Sequence, residues 1–251
     1  MNAPRAMFEE FTLATSVLTR LPVGATVPAD GAIASASWAF PLVGVGVGAL
    51  CALAFFLSEL LGVPEGAAAF AAVAAGLALT GALHEDGLAD TADGFGGGHD
   101  RDEKLAIMRD SRHGTFGILA LVLSIAMRAV ALTALGDPLH AGLALIAAHA
   151  VSRGALPPLM RLLPPARPDG LGATAGQPSR AAAFASVIIA GVIALAVLGP
   201  RTGAVALVLT AAALALAAVL ARRQIGGYTG DVLGFFQQIG EIVMLLVAAA
   251  R

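Results

Sequence analysis

Residues 181–221 read AAAFASVIIAGVIALAVLGPRTGAVALVLTAAALALAAVLA, and Arg201 is the single charge in the stretch. A helix that crosses a bilayer needs about 20 mostly apolar residues. This segment holds two such runs, 181–199 and 202–221, meeting at Gly199-Pro200-Arg201. In lipid the backbone must satisfy its own hydrogen bonds, so runs of this kind are read as helices. Working outward from this pair, five more spans are expected: 38–61, 66–83, 115–135, 139–163 and 234–250. The second is a residue or two short unless it continues past Leu83. The last is interrupted by Gln237, Gln238 and Glu241. Phe8–Leu21 has apolar residues at helical spacing beside Glu9, Glu10 and Arg20, the pattern of an amphipathic helix lying in the membrane interface.

The composition agrees. Of 251 residues, 58% are hydrophobic and 13% charged, about half the charge of a typical soluble domain. That excludes a disordered chain and leaves too little polar surface for a soluble globule. Cys51 is the single cysteine, which excludes a disulfide scaffold. A net charge of -2 gives no general attraction to nucleic acid, and no nucleic-acid partner is expected. Alternating strands of about ten residues, the mark of a membrane barrel, are not visible. The expected fold is all-α: a polytopic helical bundle forming one membrane-embedded domain over residues 1–251. No secretory signal is expected, because the first long apolar run begins only near Trp38. A homo-oligomer is compatible with this reading.

Basic residues set the orientation. Of the 15 Lys and Arg, 11 fall on the side of the N-terminus, and only Arg201 and Arg251 fall opposite. Arg128 and Arg153 lie within spans. Cationic loops stay in the cytoplasm, so the N-terminus and the 84–114, 164–180 and 222–233 loops are expected there.

The chemistry is concentrated in His84–His113, which holds eight acids and four bases. Asp86, Asp90 and Asp93 are spaced i, i+4, i+7. If the second span continues past Leu83 they share one helical face, near a helix C-terminus where the macrodipole disfavours anions. Such a cluster calls for a cation, and carboxylates without cysteine favour Mg²⁺ or Mn²⁺. Glu85 points elsewhere and reads as a bystander. His84 reads equally as a partner of the site or as an interfacial residue. Gly94–Gly98 reads more readily as a hinge than as a phosphate cradle. Arg109 and Arg112, with the Ser111 hydroxyl between them, suit phosphate contacts, and Asp110 is placed to hold one guanidinium. Within the spans, His149, Ser152 and Arg153 form a polar group where charge is costly. Arg128 has no polar neighbour in the sequence. Asp231 follows a Gly-rich turn and reads either as a site carboxylate or as a helix cap, while Glu241 lies deeper in the seventh span. Gly44 and Gly48 read as a small-residue helix contact.

Three motifs carry a resemblance: His84-x-Asp86-Gly-Leu-Ala-Asp90-Thr-x-Asp93-Gly94, Ile107-Met-Arg-Asp-Ser-Arg112-x-Gly114 and Thr229-Gly-Asp231-Val-Leu-Gly234. With Leu18-Thr-Arg-Leu-Pro22 and Ser152-Arg153, they make the chain resemble the membrane-bound cobalamin synthase family over nearly its whole length. Two departures stand out. Glu85 occupies a position where the family pattern is apolar, and Gln237-Gln238 stands where a more acidic pair is expected.

The resemblance implies an adenosylcobinamide-GDP ribazoletransferase. Such an enzyme joins adenosylcobinamide-GDP to α-ribazole or its 5′-phosphate and releases GMP. It would work in the bacterial cytoplasmic (inner) membrane, with Mg²⁺ and a site facing the cytoplasm. It further implies metal ligation by Asp86, Asp90 and Asp93, with Glu241 as a further carboxylate. One of the three aspartates, or Asp231, would accept the hydroxyl proton, and Arg109, Ser111, Arg112 and Arg153 would bind phosphate. Two other classes share parts of this pattern. A CDP-alcohol phosphotransferase shares Asp90-x-x-Asp93-Gly94, but the rest of its signature is missing. A secondary transporter would use Arg153, His149 and Glu241 as a polar path, yet most polar groups lie in one loop rather than at the midplane.

Overall fold

The computed structural model describes residues 3–24 and 31–250, and among them all regular structure is helical. An N-terminal helix, α1 (Ala3–Leu18), is followed by α2 (Ala32–Ala36), a single 3-10 turn and α3 (Phe40–Leu60). The chain continues through α4 (Glu65–Thr80), α5 (Leu83–Gly97), α6 (Arg101–Ile107) and α7 (Thr115–Leu135). It then forms α8 (Pro138–Gly154), α9 (Leu156–Leu162) and α10 (Leu171–Thr174), followed by α11 (Arg180–Leu198), α12 (Pro200–Ile225) and α13 (Gly230–Ala249). Six helical segments are long and apolar enough to cross a membrane, and α4 with α5 would make a seventh. Many large apolar side chains point outward, among them Leu123, Phe184, Val192, Val208 and Leu216. An outer face of this kind is at home only in lipid.

Six of the seven expected spans are single helices or, for 139–163, two successive helices with nearly the expected bounds. The second is not. The helix ends at Gly81, whose φ is 66°, and the next residue, Ala82, is also left-handed at φ 57°. An L-residue rarely adopts that conformation, and two in succession turn the chain by 92°. The acids therefore do not extend the second span. They ride on a separate helix, and Glu85 and Asp86 lie in its first turn. The expected clash with a helix C-terminus is reversed: the positive end of the α5 dipole supports the first two acids.

Small residues set the spacing of the bundle. At Gly48 of α3 an added Cβ would lie 2.7 Å from Ile146 Cα of α8, and Gly44 packs as closely on His149 and Ala150. This is the small-residue contact expected from the sequence. A second close approach positions the functional end. A Cβ at Gly87 of α5 would lie 2.6 Å from the Asp231 carbonyl oxygen, and one at Gly234 of α13 would lie 2.9 Å from that of His84. The backbones of α5 and α13 thus touch where both carry aspartates. Gly94–Gly98 is not a hinge, because α5 runs through Gly97. Gly94 and Gly96 make room there for Met108 and the Phe116 ring.

Candidate active site

Two loops are stitched together beside α5. Ala166 N donates to Tyr228 O at 2.7 Å, and Tyr228 N donates to Pro164 O at 3.0 Å. Arg101 reinforces the stitch by donating to the carbonyl oxygens of Ile225 and Ala166. The stitch fixes Arg167, one residue past it, against Asp231, which opens α13. Arg167 Nη2 lies 3.5 Å from Asp231 Oδ2. Thr229 caps α13 by accepting from Val232 N, and its hydroxyl also lies 3.1 Å from Asp231 Oδ2. The cap of α13 is therefore Thr229, which leaves the Asp231 carboxylate free of that role.

Asp86, Asp231 and Arg167 line a chamber of about 270 Å³ together with the buried His84. The rest of its wall is apolar: Val17 and Leu18 from α1, Ile33 from α2, Phe40 from α3, and Leu156 and Met160 from α9. Asp90 stands one turn along α5 from Asp86, with Asp86, Asp231 and Asp93 as neighbouring negative charges. His113 Nδ1 lies 3.8 Å from its Oδ1.

Asp93 is turned the other way. Its two oxygens accept from Gly114 N at 2.7 Å and Gly117 N at 2.8 Å. It thereby satisfies free donors at the start of α7 and places an anion at the positive end of that helix. Among the described residues, no three His, Cys, Asp or Glu side chains converge on a single point as a ready-made metal cage.

The structure does not bring the other expected site residues to the chamber. Arg109 is half exposed and pairs with Asp169 at 2.6 Å. Arg112 is exposed and grips Asp110 at 2.7 Å, and its guanidinium holds that carboxyl at about 2. The expected role of Asp110 is thus met. Ser111 is exposed between them.

Arg153 and Glu241 are buried within the bundle. Glu241 Oε1 lies 3.1 Å from Arg128, and its Oε2 lies 2.6 Å from Gln237 Nε2 and 3.2 Å from His149. Arg153 Nη1 lies 2.9 Å from His149 Nδ1. Arg128, which lacks a polar neighbour in the sequence, also donates to Glu85 Oε1 at 2.9 Å. Glu85 is therefore no bystander. It ties α5 to α7, and Gln238 Nε2 ties it to α13 at 3.0 Å. These side chains neutralise one another around a cavity of only about 10 Å³.

Nothing in the sequence singles out Arg167. In the sequence it is one more basic residue in a Pro-rich cytoplasmic loop. The backbone stitch that gives it a role joins segments far apart in the chain.

Fold and site together define a polytopic membrane protein with a half-ionic, half-apolar chamber at the end of the bundle where α5 and α13 meet. The chain belongs to the cobalamin-5-phosphate synthase family, whose model matches residues 10–249. Three relatives share the name adenosylcobinamide-GDP ribazoletransferase. That of Bradyrhizobium diazoefficiens is 52% identical over 98% of this chain and 95% of its own. That of Mesorhizobium japonicum is 46% identical over 98% and 95%. That of Rhizobium etli is 43% identical over 94% of each. No solved structure matches the chain.

Proposed function

We propose that this chain is an adenosylcobinamide-GDP ribazoletransferase of the bacterial cytoplasmic membrane, with its site open to the cytoplasm. The observation that carries the site assignment is the chamber, in which Asp86, Asp231 and Arg167 face an apolar wall. The family membership carries the reaction class. The side of the membrane rests on the basic residues, which gather at the end where the chamber opens.

The transfer breaks one phosphoanhydride bond and forms one phosphodiester. The ribazole 3′-hydroxyl attacks the phosphorus on the cobinamide side of the diphosphate. The bond from that phosphorus to the bridging oxygen breaks, and GMP leaves with that oxygen. The hydroxyl proton passes to a chamber carboxylate, Asp86 or Asp231. Asp93 is unsuited to this, because both its oxygens are held by backbone N–H groups.

Asp86, Asp90 and Asp231 form an oxygen-only set suited to Mg²⁺, with Mn²⁺ as a substitute. Such an ion is ordinarily held by one or two carboxylates together with substrate phosphates rather than by a closed protein cage, which fits an open acidic face. When bound, it would neutralise charge on the diphosphate and on the departing phosphate. The chain's own part is to repel water from the apolar side and hold the acceptor against the acidic side.

The test is GMP release by the purified protein in lipid nanodiscs supplied with adenosylcobinamide-GDP, α-ribazole 5′-phosphate and Mg²⁺. GMP that accumulates only with the acceptor present supports the assignment. No GMP from a folded protein overturns it.

A further inference from the structure

Arg167 stands out among the residues of the chamber. Among the described residues it is the one Arg or Lys in the lining. Its link to Asp231 is long, at 3.5 Å, and its Nη1 is buried with no hydrogen-bond partner. A buried guanidinium nitrogen without a partner is costly. It persists here because the backbone stitch through Ala166 and Tyr228 holds the residue in place. A guanidinium presents a planar fork that matches a phosphate. Arg109 and Arg112 already spend theirs on Asp169 and Asp110 at the surface.

The chamber also limits what sits beside that fork. At about 270 Å³ it lies near the lower end of small-molecule pockets, which begin at about 300 Å³. A nucleoside is of that size, whereas a corrin ring or a dinucleotide is far larger. Leu18, Ile33, Phe40, Leu156 and Met160 give it an apolar wall suited to a flat aromatic base.

We infer that the chamber is the acceptor site, in which Arg167 receives the 5′-phosphate of α-ribazole 5′-phosphate while the base lies against the Leu18–Phe40–Met160 wall. The inference rests on the transferase reading given above. It makes Arg167 the residue by which the chamber distinguishes the phosphorylated acceptor from the free nucleoside. The corrinoid and the guanosine part of the donor remain outside the chamber.

The experiment compares wild type, Arg167→Gln and Arg167→Lys with two acceptors, α-ribazole 5′-phosphate and α-ribazole, at saturating donor. Wild-type turnover tests the transferase reading separately from the role of Arg167. Loss of a charge-assisted hydrogen bond to phosphate is expected to raise KM for the phosphorylated acceptor roughly tenfold more than KM for the free nucleoside. Arg167→Lys should fall between, since it keeps the charge and loses the fork. Equilibrium binding of α-ribazole 5′-phosphate without donor should weaken in the same order, which supplies a readout independent of turnover. If both acceptors lose equally, Arg167 serves the donor diphosphate and the inference fails. It also fails if neither acceptor is affected. Because Arg167 makes only the long contact to Asp231 among the described residues, both variants should fold, and thermal unfolding checks that they do.

Discussion

Gln238 Nε2 lies 3.0 Å from Glu85 Oε1, a contact deep in the bundle that joins α13 to the acid-bearing helix α5. Arg128 lies between them, 2.9 Å from Glu85 and 3.1 Å from Glu241. The negative charge that balances this arginine comes in part from α5, and it fastens the acid-bearing helix to the bundle.

Glu85→Gln should therefore destabilise the protein. Removing one partner of a buried ion pair typically costs about 3 kcal/mol or more, visible as a lower melting temperature in detergent. The double variant Glu85→Gln/Gln238→Glu returns a carboxylate to the same neighbourhood and should recover most of the loss. A double variant no more stable than the single one would show that the two positions do not compensate.

The aspartates should divide by what they touch. Asp86→Asn and Asp231→Asn should cut GMP release at least about a hundredfold, the scale of losing a strong electrostatic contribution to the transition state. Their melting temperatures should stay level or rise, since each change relieves repulsion around Asp90. Asp93→Ala should instead lower stability by about 1–2 kcal/mol, because it strips the N-terminus of α7 of its acceptor. Equal losses of rate with unchanged stability at all three positions would refute this division.

Chelation offers a third measurement. EDTA should abolish GMP release, and Mg²⁺ or Mn²⁺ should restore it, while the melting temperature without substrate changes little, because no closed cage depends on the ion. Undiminished turnover after thorough chelation would remove the metal from the proposal.

Arg153 and Arg112 provide a contrast between buried and exposed arginines. Arg153→Ala should be poorly expressed or strongly destabilised, since it leaves a cavity and unbalances Glu241 and His149 in the bundle interior. Arg112→Ala should leave the melting temperature nearly unchanged, as expected for an exposed pair, and alter turnover by only a few-fold. A stable, fully active Arg153→Ala would contradict the placement of this side chain.

Much of the fold could be read from the chain, because lipid imposes one rule on every span: a long apolar run with its ends marked by charge. Residues 115–135 match α7 to the residue for that reason. The turn at Gly81-Ala82 was hidden, since two small residues inside an apolar stretch look the same whether the helix continues or stops. The acids were visible as a group, but their division was not. Whether Asp93 faces a ligand or the start of α7 depends on where α7 lies. Glu85 and Arg128 are 43 residues apart, and nothing local in either segment announces the other. Arg167 escapes a local reading for the same reason.

Val17 and Leu18 form part of the chamber wall, yet they belong to a helix that also turns Met7, Phe8 and Phe11 outward. A helix of this kind lies in the membrane interface with its apolar side in lipid, while on its inner side Trp38 Nε1 donates to Glu10 at 2.6 Å. Bilayer and bundle would thus grip α1 from two sides, and the chamber borrows one wall from a helix that lipid also holds. A detergent that lifts α1 should open that wall while leaving every aspartate in place.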